Sequence, residues 1–453
     1  MESLPLNRLP VAIVGGGVAG ISAAFHLSQW DIPTVLFERS GQLGGRIRSF
    51  YDNEFGAELD WGVHIIAGAY VEFLRLLRAF GTDKDMRWIR PLHLPFKGID
   101  TPTYHLHFWG LPGVLGPLTG LLSYRALSFP ERLRLALQLL RLISKKHAPA
   151  ISAETWLSQV GATPMQASRF WDPLILATLN SLPNQIGLVA LHQIVKLGLS
   201  QSDGFALGLP LKPWQRIVGD AAQSYLVKHG VEVRLKSKVK QVIIESGQAR
   251  GLSVNGEQVP VSGVILAVSP WDWQHILTPE QFELLLDSVW LSPPSSAVHS
   301  VHALFETESP RTRGPTAPIF GLLGTVNQWA FAQRLESQQY LWRISTVISA
   351  SDGLLSLPEN QIISMTIQEL HALWPDCWRE PSKVRCVRMQ YATCPFDTDF
   401  EKWRPNQKTR VAGLFLAGDA TATGLPATLE SAARSGLLAA QTLREERRRG
   451  CEA

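Results

Sequence analysis

Three glycines, Gly15, Gly17 and Gly20, stand between the apolar run VAIV (11–14) and the helical stretch ISAAFHLSQW, with the spacing of a phosphate-binding turn. In such a turn the first glycine permits a tight reversal, the second lets the backbone approach a pyrophosphate, and the third lets the helix pack closely on the sheet. The start of the helix then turns its N–H groups toward the phosphates. Glu38 ends the next apolar run, TVLFE, where a carboxylate can accept from the ribose hydroxyls of an adenosine, which favours an unphosphorylated ribose. A glycine turn without a ligand is the bland alternative, and the strand, helix and acid around it weigh against that. Arg39, Gly44, Gly45 and Arg46 add a second glycine turn and a guanidinium suited to a diphosphate or to an adjacent carboxylate. Near the other end, Gly418 and Asp419 close a strand, and Thr428 and Leu429 lie where the last helix opens. Asp419 reads as an acceptor for a ribityl hydroxyl, or else as a simple turn residue, and the amides of the helix start would stabilise negative charge on a reduced isoalloxazine. Together these features select FAD over NAD, because a flavin-free NAD module would leave Gly418 and Asp419 without a task.

Positioning these residues requires strands and helices contributed by distant stretches. Residues 11–38 form one βαβ unit, a second α/β stretch between about 205 and 270 contains VEVRL, VKQVIIE and VILAV, and GLFLAGD (413–419) returns to the same pattern. Residues 66–200 read as mostly helical, whereas 296–306 and 339–350 alternate like strands. The expected fold class is α/β, with a Rossmann-like FAD-binding domain built from 1–65, 205–275 and 405–445 and a mixed α+β substrate-binding domain from 66–204 and 276–404. A chain of 453 residues suits two such interwoven domains. The basic end REERRRGCEA is expected to fray.

The net charge of +4 lacks the dense basic clustering of a nucleic-acid binder. Cys377, Cys386, Cys394 and Cys451 show neither the pairing of a zinc site nor the density of a disulfide scaffold, so a reducing compartment and no metal are expected. The opening MESLPLNRLP lacks the apolar core of a signal peptide, so a cytoplasmic chain is expected. Residues 101–124 carry no Asp, Glu, Lys or Arg, but Pro112, Pro117 and several glycines would break a spanning helix. The capping-box pattern at Ser128–Glu131 then opens a helix with Leu133, Leu137 and Leu140 on one face and Arg132, Arg134, Arg141, Lys145 and Lys146 elsewhere. It reads either as an amphipathic helix packed on the core or as one lying peripherally on a membrane, with 101–147 as a membrane-facing or substrate-entry region.

GGGVAG, ERSGQLGGRIRS and LAGDATATGLPATLESAARSG resemble the flavin amine oxidase and phytoene desaturase superfamily along its cofactor domain. LDWGVHIIAGAYVEFLRLLRAFGT, FWDPLILATLNSLPNQ and TGLPATLESAARSG are similar to the squalene-associated branch, the hydroxysqualene dehydroxylases of hopanoid biosynthesis. The resemblance spans nearly the whole chain, though 86–150 and 275–380 match in texture rather than in residues. It implies bound FAD, an isoprenoid lipid substrate, neighbouring enzymes of squalene and hopanoid synthesis as partners, and reductive removal of a hydroxyl. It also puts Gly15, Gly17, Gly20, Glu38, Gly45, Arg46, Gly418 and Asp419 on the cofactor motifs, Gly62 on a retained motif position, Thr428 and Leu429 near the flavin, and the Val239 backbone against the adenine. One departure stands out: the family's Asp-Asn-Gly-Gln-His pattern reads Asp60-Trp61-Gly62-Val63-His64 here.

Replacing a carbon-bound hydroxyl by hydrogen needs a hydride donor and an acid that helps water depart. His64 is the first candidate acid because histidine titrates near neutrality, with Asp172 and Tyr70 behind it. Trp61, Phe170 and Trp171 read either as a tunnel lining for a polyene or as core. Carotenoid desaturation, amine oxidation and a non-catalytic flavin-bearing scaffold of an isoprenoid pathway remain the competing readings.

Overall fold

The four residues Val11–Val14 are all buried, as expected of a strand covered on both faces, and they form the centre of a five-stranded parallel sheet. Its order across the sheet is Glu232–Arg234, Thr34–Phe37, Val11–Val14, Gly263–Leu266 and Leu414–Leu416. Its strands therefore come from three separated stretches of sequence. The computed structural model describes residues 9–111, 113–201, 203–286, 288–306, 315–334, 341–375 and 380–452.

The helix Val18–Gln29 packs between this sheet and the last helix, Leu429–Glu452. Small residues set the separation: a Cβ on Gly20 would lie 1.9 Å from the Gly15 carbonyl oxygen, and one on Gly436 would lie 2.2 Å from that of Ala19. The Ser22 hydroxyl donates to the Ala433 carbonyl oxygen at 2.6 Å across the same contact. A three-stranded antiparallel sheet, Val239–Glu245, Gln248–Val254 and Glu257–Pro260, flanks the parallel sheet. The expected fraying of REERRRGCEA does not occur, since the last helix continues to Glu452. The helix is tied down by Glu446, which accepts from the Gly413 amide at 2.8 Å, and by the Arg444 guanidinium over the Trp30 ring.

The other half of the molecule centres on a seven-stranded sheet ordered 383–393, 296–306, 341–348, 329–334, 319–323, 93–98 and 104–107. A helical layer lies beside it, including Leu115–Ser123, Phe129–Ser144, Asp172–Leu179 and Leu188–Leu199. The expectation that 66–200 is mostly helical holds beyond residue 110 and fails within 86–107, where Met86–Ile89, His93–Gly98 and Tyr104–His107 are strands. Pro91, Pro95 and Pro102 deny this stretch the amides a helix needs, while the 319–323 strand offers a parallel partner through Gly321 and Phe96. The capping box forms: Glu131 accepts from the Ser128 amide at 3.0 Å and from its hydroxyl at 2.9 Å. Pro112 and Cys377, and the side chain of Cys451, lie outside the described residues, while Cys386 and Cys394 are buried free thiols. No described helix is long and apolar enough to cross a membrane.

Gly436→Ala introduces a methyl into the close contact between the helices Val18–Gln29 and Leu429–Glu452. We expect it to destabilise the protein by about 1–3 kcal/mol, read in urea unfolding with excess FAD as a lower midpoint at unchanged slope. An unchanged midpoint would show that the two helices can separate without cost.

Candidate active site

The two glycine turns meet directly. Gly44 donates its amide to the Gly16 carbonyl oxygen at 2.8 Å, and Gly17 and Gly44 form an isolated parallel bridge. Gly44 and Gly45 have φ of 117° and 59°, left-handed values that glycine adopts without strain. The three glycines of the first turn differ in what excludes a side chain. A Cβ on Gly15 would lie 2.6 Å from the Ala267 carbonyl oxygen, and Gly20 faces Gly15, whereas a Cβ on Gly17 would find nothing nearer than Gly45 Cα at 4.0 Å. Gly15 and Gly20 are thus required by the protein's own packing. Gly17 is not, and its open side faces a cavity of about 520 Å³, within the usual range for a cofactor-sized site.

Charged side chains along this cavity are held in place by specific partners. Glu38 accepts from the Gly16 amide at 2.7 Å and the Ser40 amide at 2.8 Å, so each oxygen keeps a lone pair able to meet a ribose hydroxyl. Arg39 pairs with Asp272 at 3.0 Å at the rim. Arg46 bonds Asp419 at 2.5 Å and the Ala392 carbonyl oxygen at 2.8 Å, bridging the N-terminal glycine turn to the C-terminal signature. Burial opposes the charge on Arg46, but Asp419 more than offsets this and holds the guanidinium above its ordinary pKa. The loop beyond Asp419 is shaped by buried Arg404, which donates to the carbonyl oxygens of Asp419, Thr421 and Leu425. Thr428 accepts from the Ser431 amide at 3.2 Å, and Thr428, Leu429 and Ala432 present the first turn of the last helix to the cavity.

The segment Asp60–His64 forms another wall. Asp60 is anchored from below, accepting from the Ser49 hydroxyl at 2.5 Å and the Trp214 amide at 3.0 Å. Burial nevertheless pushes its pKa up, against those two bonds. The Trp214 indole donates to the His64 carbonyl oxygen at 3.3 Å, so one buried tryptophan holds both ends of the segment. Trp61 and His64 line the cavity, with Met389, Ala392 and Thr393 from the strand 383–393. His64 Nε2 is buried without a hydrogen-bond partner. Burial, aided by the positive charge of Arg46 and opposed by a hydrogen bond to the Arg46 backbone, lowers the His64 pKa to about 4. The imidazole is therefore neutral at neutral pH, unlike the near-neutral titration expected from its residue type.

Gly15, Gly17, Glu38, Arg39, Gly45, Arg46, Val239, Gly418, Asp419, Thr428 and Leu429 all border this one cavity. Four other candidates do not. Gly20 packs the helix onto the sheet, and Gly62 is buried beside His64. Tyr70 packs on Phe73 with its hydroxyl at Thr428, and burial raises its pKa. Asp172 begins the helix Asp172–Leu179, where partial burial raises its pKa. Trp171 is core: it is fully buried, and its indole donates to Gln138 at 3.1 Å. Among the described residues no group of three or more His, Cys, Asp or Glu is gathered as for a metal ion.

The family model for flavin-containing amine oxidoreductases matches residues 18–444. The chain belongs to that family. This FAD-dependent oxidoreductase is 28% identical to a hydroxysqualene dehydroxylase of Sinorhizobium fredii, over 95% of this chain and 97% of the relative. It is 25% identical to a 15-cis-phytoene desaturase of Glycine max, over 97% of this chain and 80% of that one. Its fold matches the crystal structure of an oxidoreductase from Methanosarcina mazei with a TM-score of 0.73 at 15% identity, covering 96% and 100% of the two chains.

Several residues at the site of this flavin oxidoreductase carry no signal in the sequence. Met389, Ala392 and Thr393 arrive on a long strand with no motif, and Arg404 shapes the site by donating to carbonyls of a loop it does not belong to. Asp60 did lie within a recognised segment, but its role as an anchor depends on Ser49 and Trp214.

Because Gly17 borders open space rather than protein, Gly17→Val should fold and yet exclude the cofactor. We expect normal far-ultraviolet circular dichroism with bound flavin reduced about tenfold or more. Full flavin content would remove the pyrophosphate from this turn.

Proposed function

We propose that this oxidoreductase acts on an isoprenoid lipid, and that its reaction is the reductive dehydroxylation of hydroxysqualene to squalene within hopanoid biosynthesis. The names borne by relatives matched over 80–97% of their own lengths support the lipid class. The observation that carries the reading against an amine is electrostatic. Of the three carboxylates bordering the cavity, Asp272 is paired with Arg39 and Asp419 with Arg46, and Glu38 sits at the first glycine turn, where its remaining lone pairs suit the ribose. Beside His64 the lining is Trp61 and Met389, apolar surface with no carboxylate for an ammonium substrate.

In this reading Gly15, Gly17, Gly45 and Arg46 would hold the diphosphate, with Gly20 fixing the helix behind it. Glu38 would receive the adenosine ribose, Val239 would meet the adenine, and Arg39 would secure the rim through Asp272. Gly418 and Asp419 would hold the ribityl chain, with the helix start at Thr428 and Leu429 offering its amides to the flavin. Bound FAD supplies hydride transfer. The substrate loses its C–O bond, the hydroxyl leaves as water with a proton, and hydride completes the new C–H bond. Among the described residues bordering the cavity, His64 Nε2 is the buried side-chain polar atom without a protein partner, so it would hydrogen-bond the departing hydroxyl and, in its protonated form, deliver the proton. Gly62 gives the ring room, and Tyr70 acts from behind through Thr428. Asp172 ranks last because it does not border the cavity. Other enzymes of squalene and hopanoid synthesis are its expected partners. A phytoene-type desaturation would run hydride in the opposite direction, and a flavin-bearing scaffold would not turn over at all.

The deciding experiment adds hydroxysqualene anaerobically to photoreduced protein, following flavin absorbance and extracted lipid. The expected result is flavin reoxidation with squalene formed in equal amount. Reduced flavin that persists with hydroxysqualene, together with oxidised flavin bleached by phytoene, would replace the dehydroxylase by a desaturase. Silence toward both would favour the scaffold.

The proton step has its own signature. With the His64 pKa near 4, only the minority imidazolium reacts above that pH. The reoxidation rate should therefore fall about tenfold per pH unit on going from mildly acidic to neutral solution. His64→Ala should retain flavin and lose that slope. A sloping profile in the variant would assign the proton to another group.

A further inference from the structure

The helix Phe129–Ser144 has two apolar faces, and only one is used for folding. Leu135, Leu139 and Leu142 are buried in the core of the substrate half. Phe129, Leu133, Leu137 and Leu140 instead follow a spacing of four, four and three, an arc of about 80° on the other side of the helix. They are 62%, 48%, 49% and 37% exposed. The adjoining helix Leu115–Ser123 packs alongside and adds exposed Leu115 and Leu122, and exposed Trp109 stacks on His107 just before it. Eight of the nineteen exposed large apolar side chains among the described residues fall between 109 and 140, so the surface is a concentrated patch and not a scatter.

Charge chooses the occupant. Residues 109–147 contain six Lys or Arg and one acid, Glu131, an excess larger than the +4 of the whole chain. Glu131 is engaged in the capping box with Ser128 and bonds Thr163. Arg132 is occupied in bonding the Leu122 carbonyl oxygen at 2.7 Å, which joins the two helices. Arg125, Arg134 and Arg141 are exposed and enter no ion pair among the described residues. A row of half-exposed leucines and a phenylalanine bordered by unpaired guanidinium groups complements an anionic bilayer, with apolar chains beneath phosphate headgroups. An ordinary protein partner would call for fewer cations beside so much apolar surface.

We propose that the surface formed by Phe129–Ser144 and Leu115–Ser123 seats the protein peripherally on an anionic membrane. The buried side of that surface belongs to the same apolar cluster against which Val63 and Ile65 pack, the two residues flanking His64. The membrane face and the reacting end of the cavity therefore share one continuous apolar layer. The proposal concerns binding alone and stands whichever lipid reacts.

The test uses FAD-bound full-length protein floated with vesicles of phosphatidylcholine, alone or mixed with phosphatidylglycerol. We expect flotation with the mixed vesicles about tenfold or more above that with the neutral ones. Leu133→Asp with Leu137→Asp, and separately Arg134→Glu with Arg141→Glu, should each reduce it by a similar factor while flavin content and melting temperature stay unchanged. Val227→Asp, at an exposed residue of the helix Ala221–Lys228, should float as the wild type does. Wild-type protein left in the soluble fraction, or surface variants that float normally, would overturn the proposal. If the soluble wild type dimerises and the leucine variant does not, the patch belongs to a second copy instead. Failure of the substrate assay leaves this result untouched.

Discussion

Where Gly17 meets Gly44, two backbones touch with no side chain between them, and much of the cofactor half is arranged around that contact. It requires the helix Val18–Gln29 to start immediately beyond the strand Val11–Val14, which brings Gly20 against Gly15. It also places the Gly16 amide where Glu38 can accept from it, and the second turn where Arg46 can reach Asp419. The Arg46–Asp419 pair joins positions 373 residues apart in sequence. Asp419 is buried and Arg46 partly so, and their pairing with each other and with the Ala392 carbonyl oxygen offsets the desolvation of the carboxylate at this polar point of the cavity.

The legible parts of the sequence were those whose cause is local. A strand, a glycine turn and an acid at the end of the next strand are fixed by short-range geometry, and the α/β fold with its parallel sheet follows from repeating that pattern. The alternation at 296–306 and 341–348 was equally readable. Pairings across the chain were not. The strand His93–Gly98 carries a central proline and pairs in parallel with a segment more than two hundred residues later. The leucines of 129–144 could be grouped by spacing, but periodicity alone cannot say which of two apolar faces turns inward. The frayed tail was misread because the bonds that hold it come from Trp30 and Gly413.

The chemistry was harder to read than the cofactor framework for a related reason. A residue type suggests a pKa, while the surroundings set it. His64 looks like an ordinary titrating group in sequence, yet burial beside Arg46 makes it a mostly neutral ring. Buried His302, bonded to Ser345 and to the Asp60 carbonyl oxygen, is likewise lowered to about 4 by burial and by Arg343. The wall containing Asp60 and His64 is thus held by Ser49, Trp214 and a neutral His302, while the positive charge beside it comes from Arg46 and Arg343.

The position of Leu414–Leu416 has a consequence for the life of the chain before it folds. This strand completes the parallel sheet beside Gly263–Leu266, and the helix after it covers the first helix of the protein. On a ribosome, the early strands and helix are made long before those late pieces exist. During that interval the strand Gly263–Leu266 is an open edge and the small-residue face of Val18–Gln29 is bare, both invitations to pair with the wrong chain. The contact order of these two halves is therefore high, and the surfaces that close the sheet stay uncovered for most of the time the chain takes to be made.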